Sequence, residues 1–392
     1  MRYENAIDMF LKLVSIESES LHESEIVEFI EQYAKENWDC KIRRDEIHFA
    51  DLEEDVKKRL SQEDKDASTE QIYIEIPSND DTKASIMLGA HVDTVAPCKD
   101  IKVIFTEDGK IKTDGTTILG GDDKSGVAGI MCAIDQITKD KRPHGKIVCV
   151  FTACEEKGLL GARLTPVNQF GVDYGFVFDT TGSVGSIVER VQYSQNVEIN
   201  IEVKDIPTHA MCLTVENALG IAGDIIGKLP KGLWDKAEYT MSNIVSLKTE
   251  NEVGQMVPNK AIIKYSIRSF IETELKVMRD MYTKIISGIK YENAEITFTV
   301  TPEKTMGYDN TQSETGRKMM GHADEALREM GITPYYLRDG LGGHDASVYR
   351  RNGVPSVVLS SGMQDIHSTK EWIYKDDLLK TTELILKLID KA

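Results

Sequence analysis

A histidine and an aspartate stand two residues apart where an apolar run ends: His91 and Asp93, in "IMLGAHVD". The pattern recurs along the chain, an apolar run followed by residues able to bind cations or move protons. Glu155 and Glu156 come after "KIVCVFT" (146–152). Asp179 ends "YGFVFD" (174–179), and His367 follows "PSVVLSS" (355–361) by a few residues. Between the first two runs lies "LGGDDKSG", which places Asp122 and Asp123 directly before a helical pattern. Carboxylates brought this close raise one another's pKa until some protonate. Divalent cations remove the conflict, and a mixed histidine–carboxylate set suits zinc, with manganese and cobalt as rivals. Two cations ~3.5–4 Å apart, sharing one carboxylate, would use all of these groups.

Residues two apart on a strand point the same way. Asp93 can therefore accept the proton on the non-ligating ring nitrogen of His91, which fixes the tautomer. In "ACEEKG" one carboxylate can bind a cation while its neighbour takes a proton from water and returns it to a leaving amine. Each element alone has a plainer reading: a lone H-x-D is a polar pair at a strand end, and adjacent glutamates are usually surface charge. Their recurrence at one sheet edge favours the chemical reading. "GGDDKSG" is not a phosphate loop, because Asp123 stands where such a loop has glycine before Lys-Ser, and acids repel phosphate.

The elements that must position these groups are legible in the hydropathy. The four apolar runs are rich in Val, Ile and Phe and do not alternate, as expected of strands buried on both faces of a parallel or mixed sheet. Ligands in such α/β sheets gather beyond the carboxyl ends of the strands. Helices are predicted over 4–15 and 24–37, and from about Lys124, where Val127, Ile130, Met131 and Ile134 share a face. Residues 51–70 are dominated by charge and read as a solvated insertion, part helical at most. Residues 190–300 differ: "NVEINIEVK" alternates strictly, as a strand with one wet face does. The order thereafter is strand, helix, strand, strand, helix, strand, that of a split ferredoxin-like unit. The expected fold is α/β: a mixed central sheet flanked by helices, formed by residues 1–187 and 303–392. An α+β ferredoxin-like domain (188–302) is inserted in it.

Bulk properties bound the function. At ~100–200 residues per domain, 392 residues suggest two or three domains. The net charge of −18 argues against a nucleic-acid surface, which needs cations to neutralise phosphates. Six scattered cysteines without a C-x-x-C pair read as reduced thiols. No apolar run reaches transmembrane length, and the first residues lack a signal-peptide core. The expectation is cytoplasmic, with no membrane and no nucleic-acid partner.

Taken together, "AHVDTV", "GGDDKSGVAG", "EEKGLLGA", "FDTTG", "THA" and "IHSTKEW" resemble, in order and spacing, the dinuclear-zinc metallopeptidases that include aminoacylase, glutamate carboxypeptidase and peptidase T. The stretch from His91 to Gly129 looks most like the peptidase T-like branch, the tripeptide aminopeptidases. The resemblance implies that His91 and Asp179 bind one metal, that Glu156 and His367 bind the other, and that Asp122 bridges them. It further implies that Asp93 orients His91 and that Glu155 is the general base. It places His209 as a donor to the tetrahedral oxyanion, reaching the site of a partner subunit. It makes Arg268 a clamp for a substrate carboxylate, and the inserted domain a lid and homodimer surface with hinges near 184–190 and 300–304. His209 also reads as a satisfied histidine in a turn, and Arg268 as a solvated strand-end charge. The chain departs from the pattern at Met211, Gln255, His344 and Ser347, and in the 51–70 insertion. His344 is a candidate substrate contact, with loop packing as its alternative.

The expected activity is hydrolysis of short peptides from the free N-terminus, with two divalent metals per chain. An N-acyl amino acid deacylase or a dipeptidase would use the same site on another substrate. A non-catalytic, metal-stabilised dimeric binding protein would lack a ligand or the base, and none is missing from this sequence.

Overall fold

The computed structural model describes the chain except residues 1–4, 58–59, 63, 65–67, 205–215, 237–238, 250–255 and 339–341. It divides into two compact units, Met1–Arg190 with Asp309–Ala392, and Val191–Tyr308.

The first unit is built on a six-stranded mixed sheet. The strands run in the spatial order Lys41–Glu46, Glu70–Ile76, Ile147–Thr152, Ile86–His91, Tyr174–Val177 and Ser356–Val358. The first pairings are antiparallel and the last three are parallel. The apolar runs occupy the middle, where every residue of Ile86–His91 and of Ile147–Thr152 is buried. The charged strand Lys41–Glu46 takes an edge, as charge on an edge discourages further pairing. The helices Ala6–Val14, Gly121–Asp140 and Lys375–Lys391 join the sheet in one apolar core. Phe10 and Leu13, Ile130 and Ile134, and Ile385 and Leu388 meet Leu88, Cys149 and Phe176 there.

Register sets the site. His91 lies opposite Thr152, and Gly89 opposite Val177. Two residues further along, His91 is therefore level with Asp179, while Glu155 begins the turn after Thr152.

The second unit is an antiparallel sheet in the order Gly232–Asp235, Thr240–Thr249, Lys260–Ser269, Tyr193–Val203, Ala294–Thr305. Val197, Ile199, Ile201 and Val203 face the helices Ala218–Lys228 and Glu272–Ser287 across a core that includes Ile225, Met278 and Tyr282. The four long strands have the ferredoxin-like order. The short Gly232–Asp235 strand adds an edge that the sequence did not announce.

Two further features differ from expectation. A three-stranded sheet forms from Val103–Phe105, Lys110–Thr113 and Trp372–Tyr374. The charged insertion is not simply solvated: Phe49, Leu52 and Val56 are buried with Leu21, Ile47, Ala153, Cys154 and Leu160. Their spacing, continued by Leu60, is helical, and the surrounding charges hide it.

Candidate active site

His91 ends its strand fully buried, at 1% exposure. Its Nδ1 lies 2.9 Å from the Asp93 main-chain oxygen and 3.4 Å from Asp93 Oδ1. With the Nδ1 proton donated to that carbonyl, Nε2 faces inward, 2.9 Å from Asp122 Oδ1 and 3.9 Å from Asp179 Oδ1. The Asp93 carboxylate is engaged elsewhere. It accepts from the Ser20 hydroxyl (2.7 Å) and from the backbone N–H groups of Glu155 (2.9 Å) and Glu156 (3.2 Å). Asp93 thus ties the histidine strand to the glutamate turn.

Asp122 presents its two oxygens in different directions. Oδ1 faces His91, and Oδ2 lies 3.1 Å from His367 Nε2. The same His367 nitrogen is 2.8 Å from Glu156 Oε1. Among the described residues three triads result with ligand atoms within 4.8 Å of one another: His91–Asp122–Asp179 and Asp122–Glu156–His367, both containing Asp122, and His91–Glu155–Glu156.

Asp122 is fixed from behind by Glu371, a buried acid that pattern reading passed over. Glu371 Oε2 accepts from the N–H groups of Leu119 (2.7 Å) and Gly120 (2.8 Å), and Oε1 from that of Asp122 (3.0 Å). Gly121 must lack a side chain, since a Cβ there would stand 2.9 Å from Glu371 Oε1. Glu23, equally buried, accepts from the backbone N–H of Cys154 beside the glutamate turn. Neither acid advertises itself in the sequence, because the partners of Glu371 are main-chain N–H groups and those of Glu23 are main-chain N–H groups, a thiol and a hydroxyl from three separate segments.

The electrostatics are those of a site with more acid than it can hold alone. Burial, then the charge of Asp179, pushes both Asp123 and Glu155 well above the ordinary carboxyl range. Burial also raises Glu156. Burial would lower the proton affinity of His91, but Asp122 and Asp93 outweigh it and hold the ring well above its usual range. His367 is lifted to about 10 by Asp122 and Glu156. Asp123 Oδ2 is buried without a hydrogen-bond donor, and the buried Glu156 Oε1 faces His367 Nε2 at 2.8 Å. Buried carboxylate oxygens crowded against inward-facing imidazole nitrogens fit a pair of divalent cations.

Beside the triads lies a cavity of about 440 Å³, into which Asp122, Glu155, Glu156, Asp179, His344 and His367 open. Val188, Leu337, Met363 and Ile366 give it an apolar wall. His344 Nδ1 is 3.4 Å from Asp179 Oδ2. Arg268 sits in the other unit near the end of the Lys260–Ser269 strand, opposite Ser194 and Met241. His209, with Met211 and Gln255, lies outside the described residues.

Comparison with known proteins accords with this geometry. Peptidase T of Alkaliphilus oremlandii is 26% identical over 430 aligned residues, covering 99% of each chain. The crystal structure of aminopeptidase PepT from Bacillus cereus superposes with a TM-score of 0.86 at 28% identity, covering 99% of this chain and 98% of that one. A tripeptidase from Staphylococcus aureus gives a TM-score of 0.83 at 26% identity, covering 98% and 97%. The model of peptidase family M20/M25/M40 matches residues 87–391, a span holding all five ligand candidates together with Asp93 and Glu155, and the chain belongs to that family of peptidases.

Proposed function

We propose that the chain is a metal-dependent aminopeptidase that releases the N-terminal residue of short peptides, tripeptides above all. The observation that carries the reading is Asp122, one carboxylate facing two histidine-containing triads. Relatives named as an aminopeptidase and a tripeptidase support the substrate class. When bound, two divalent cations, zinc first and manganese or cobalt as rivals, would supply Lewis acidity at a carbonyl and a water that ionises near neutral pH.

The remaining work belongs to side chains. His91 and Asp179 would hold one cation, Glu156 and His367 the other, and Asp122 both. Glu155 would take the proton of the attacking water and hand it to the departing amine. Its raised proton affinity suits a group that must carry a proton between two steps. Asp93 would keep the His91 ring and the Glu155 turn in register. His344, in the cavity wall, would touch substrate. For His209 as oxyanion donor and Arg268 as carboxylate clamp, the support is the family resemblance. The 191–308 unit would serve as lid and as the surface of a homodimer, in a cytoplasmic enzyme. Among the described residues no helix is long and apolar enough to cross a membrane.

The test is to strip the protein with a chelator, reload it with zinc, manganese or cobalt, and offer free-amine tripeptides beside dipeptides and N-acyl amino acids. Metal-dependent release of the first residue from tripeptides is the expected outcome. Preference for the N-acylated compounds would overturn the aminopeptidase reading.

A further inference from the structure

The glutamate turn is held by more than Asp93. Glu23, at 0% exposure, lies at the start of the Ser24–Asn37 helix, far from Glu155 in sequence. Its Oε1 accepts from the N–H of Leu21 (3.0 Å), the N–H of Cys154 (3.0 Å) and the Cys154 thiol (3.3 Å). Its Oε2 accepts from the Thr69 hydroxyl. One carboxylate therefore joins three segments. Cys154 immediately precedes Glu155, and the next two N–H groups of the turn go to Asp93. Three successive backbone donors are thus fixed by two buried acids. Leu21 follows Ser20, whose hydroxyl also donates to Asp93, so the two acids share one support.

The charged segment is the other half of this support. Thr69 closes it, and its carbonyl accepts from Ile47 N–H (2.8 Å). Leu52 and Val56 pack in the apolar cluster that contains Cys154 and Leu160. Asp64 pairs with Lys157, the residue after Glu156, at 2.8 Å. Surface pairs of this kind contribute little alone. Here the ion pair and the apolar contact fall on the stretch that carries Glu155, and the buried hydrogen bond falls on Glu23, which holds that stretch.

We propose that Glu23 is a positioning residue for Glu155, and that Leu52, Val56, Asp64 and Thr69 secure it. The proposal rests on Glu155 being the base. A small misplacement of a reacting group can lower a rate about 100-fold, so the effect should fall on kcat rather than on substrate binding.

The experiment compares Glu23→Ala, Glu23→Gln and Thr69→Val with the unaltered full chain. It reads kcat and KM on a tripeptide, bound metal by elemental analysis, and backbone amide exchange of the metal-free protein. Glu23→Ala is expected to lower kcat by roughly 30-fold or more with KM within about threefold, by the positioning argument. Metal content should be retained, and exchange at Cys154–Glu156 should accelerate. Glu23→Gln keeps an acceptor oxygen and should recover most of the rate. Thr69→Val should show the same changes in smaller measure. Unaltered exchange at 154–156, or an unaltered kcat, in Glu23→Ala overturns the proposal. If that variant does not fold, wild-type exchange and kcat in Thr69→Val overturn it instead. Should the unaltered chain cleave no peptide, the proposed function fails separately, and the metal-free exchange pattern still decides whether Glu23 and Thr69 hold the turn.

Discussion

Glu155 and Lys124 show how burial assigns different tasks to charged side chains. Glu155 opens into the cavity, and its turn is held through Asp93. Replacing it by Gln preserves shape and removes the proton carrier. Turnover should fall by about 100-fold or more, the usual scale of general acid–base catalysis, while elemental analysis still finds two metals per chain. Normal turnover in that variant would end the general-base assignment. Lys124 follows the acid pair and is fully buried, its ammonium donating to the Ile16 carbonyl at 2.8 Å. Burial lowers its pKa from 10.5 to about 8. Between those values the unfolded chain keeps a proton that the folded chain has released, so this group makes stability rise with pH across that window. Chemical denaturation of Lys124→Met between pH 8 and 10 should show that slope removed. An unchanged slope would place the folded lysine near its ordinary value.

At the scale of elements, the turn before the Gly121–Asp140 helix depends on a residue from the far end of the chain. Glu371→Ala would leave three buried N–H groups without an acceptor. At ~1–3 kcal/mol for each unsatisfied donor, the loss should reach ~3 kcal/mol or more by denaturation. Calorimetry should find metal affinity reduced, since Asp122 loses its anchor, and Glu371→Gln should do less harm. Elements of this unit were legible to different degrees. The non-alternating runs declared central strands because a strand buried on both faces has no polar side to show. In the other unit, "NVEINIEVK" declared a one-sided strand for the converse reason. The strands Gly232–Asp235 and Val103–Phe105 are too short to carry a period. Phe49, Leu52 and Val56 were masked by the charge around them. Glu23 and Glu371 carry no sequence signal, because hydrogen bonds to main-chain N–H groups leave no trace in residue types. His91, Asp122, Glu155, Glu156, Asp179 and His367 were readable because each follows an apolar run or precedes a helix, and parallel strand register then collects them.

For the whole molecule, the consequence of so much paired and unpaired charge is a strong link between metal and pH. The raised carboxyls of Asp123, Glu155 and Glu156 favour the folded chain while protonated and lose that contribution as pH rises through their folded values. The raised histidines act in the same direction, their contribution complete below 6.5 and, for His367, lost as pH rises through about 10. Asp122 opposes them only in acid: burial would raise it, but His367 and His91 hold it down, and its contribution disappears as pH falls below 3.8. The metal-free protein should therefore melt at progressively lower temperature as pH is raised from 5 to 9. Saturating divalent metal should lift the melting temperature most at the alkaline end, because ligand that binds only the folded state stabilises it. A melting temperature indifferent to metal across that range would contradict the clustering of these groups. The discontinuous first unit carries one more consequence, for synthesis. Its outermost parallel strand, Ser356–Val358, and its His367 emerge from the ribosome only after the entire 191–308 unit has been made. A nascent chain ending at residue 350 thus holds an open sheet edge and only two members of its second triad, and hydrolytic capacity would switch on late, when the returning segment docks.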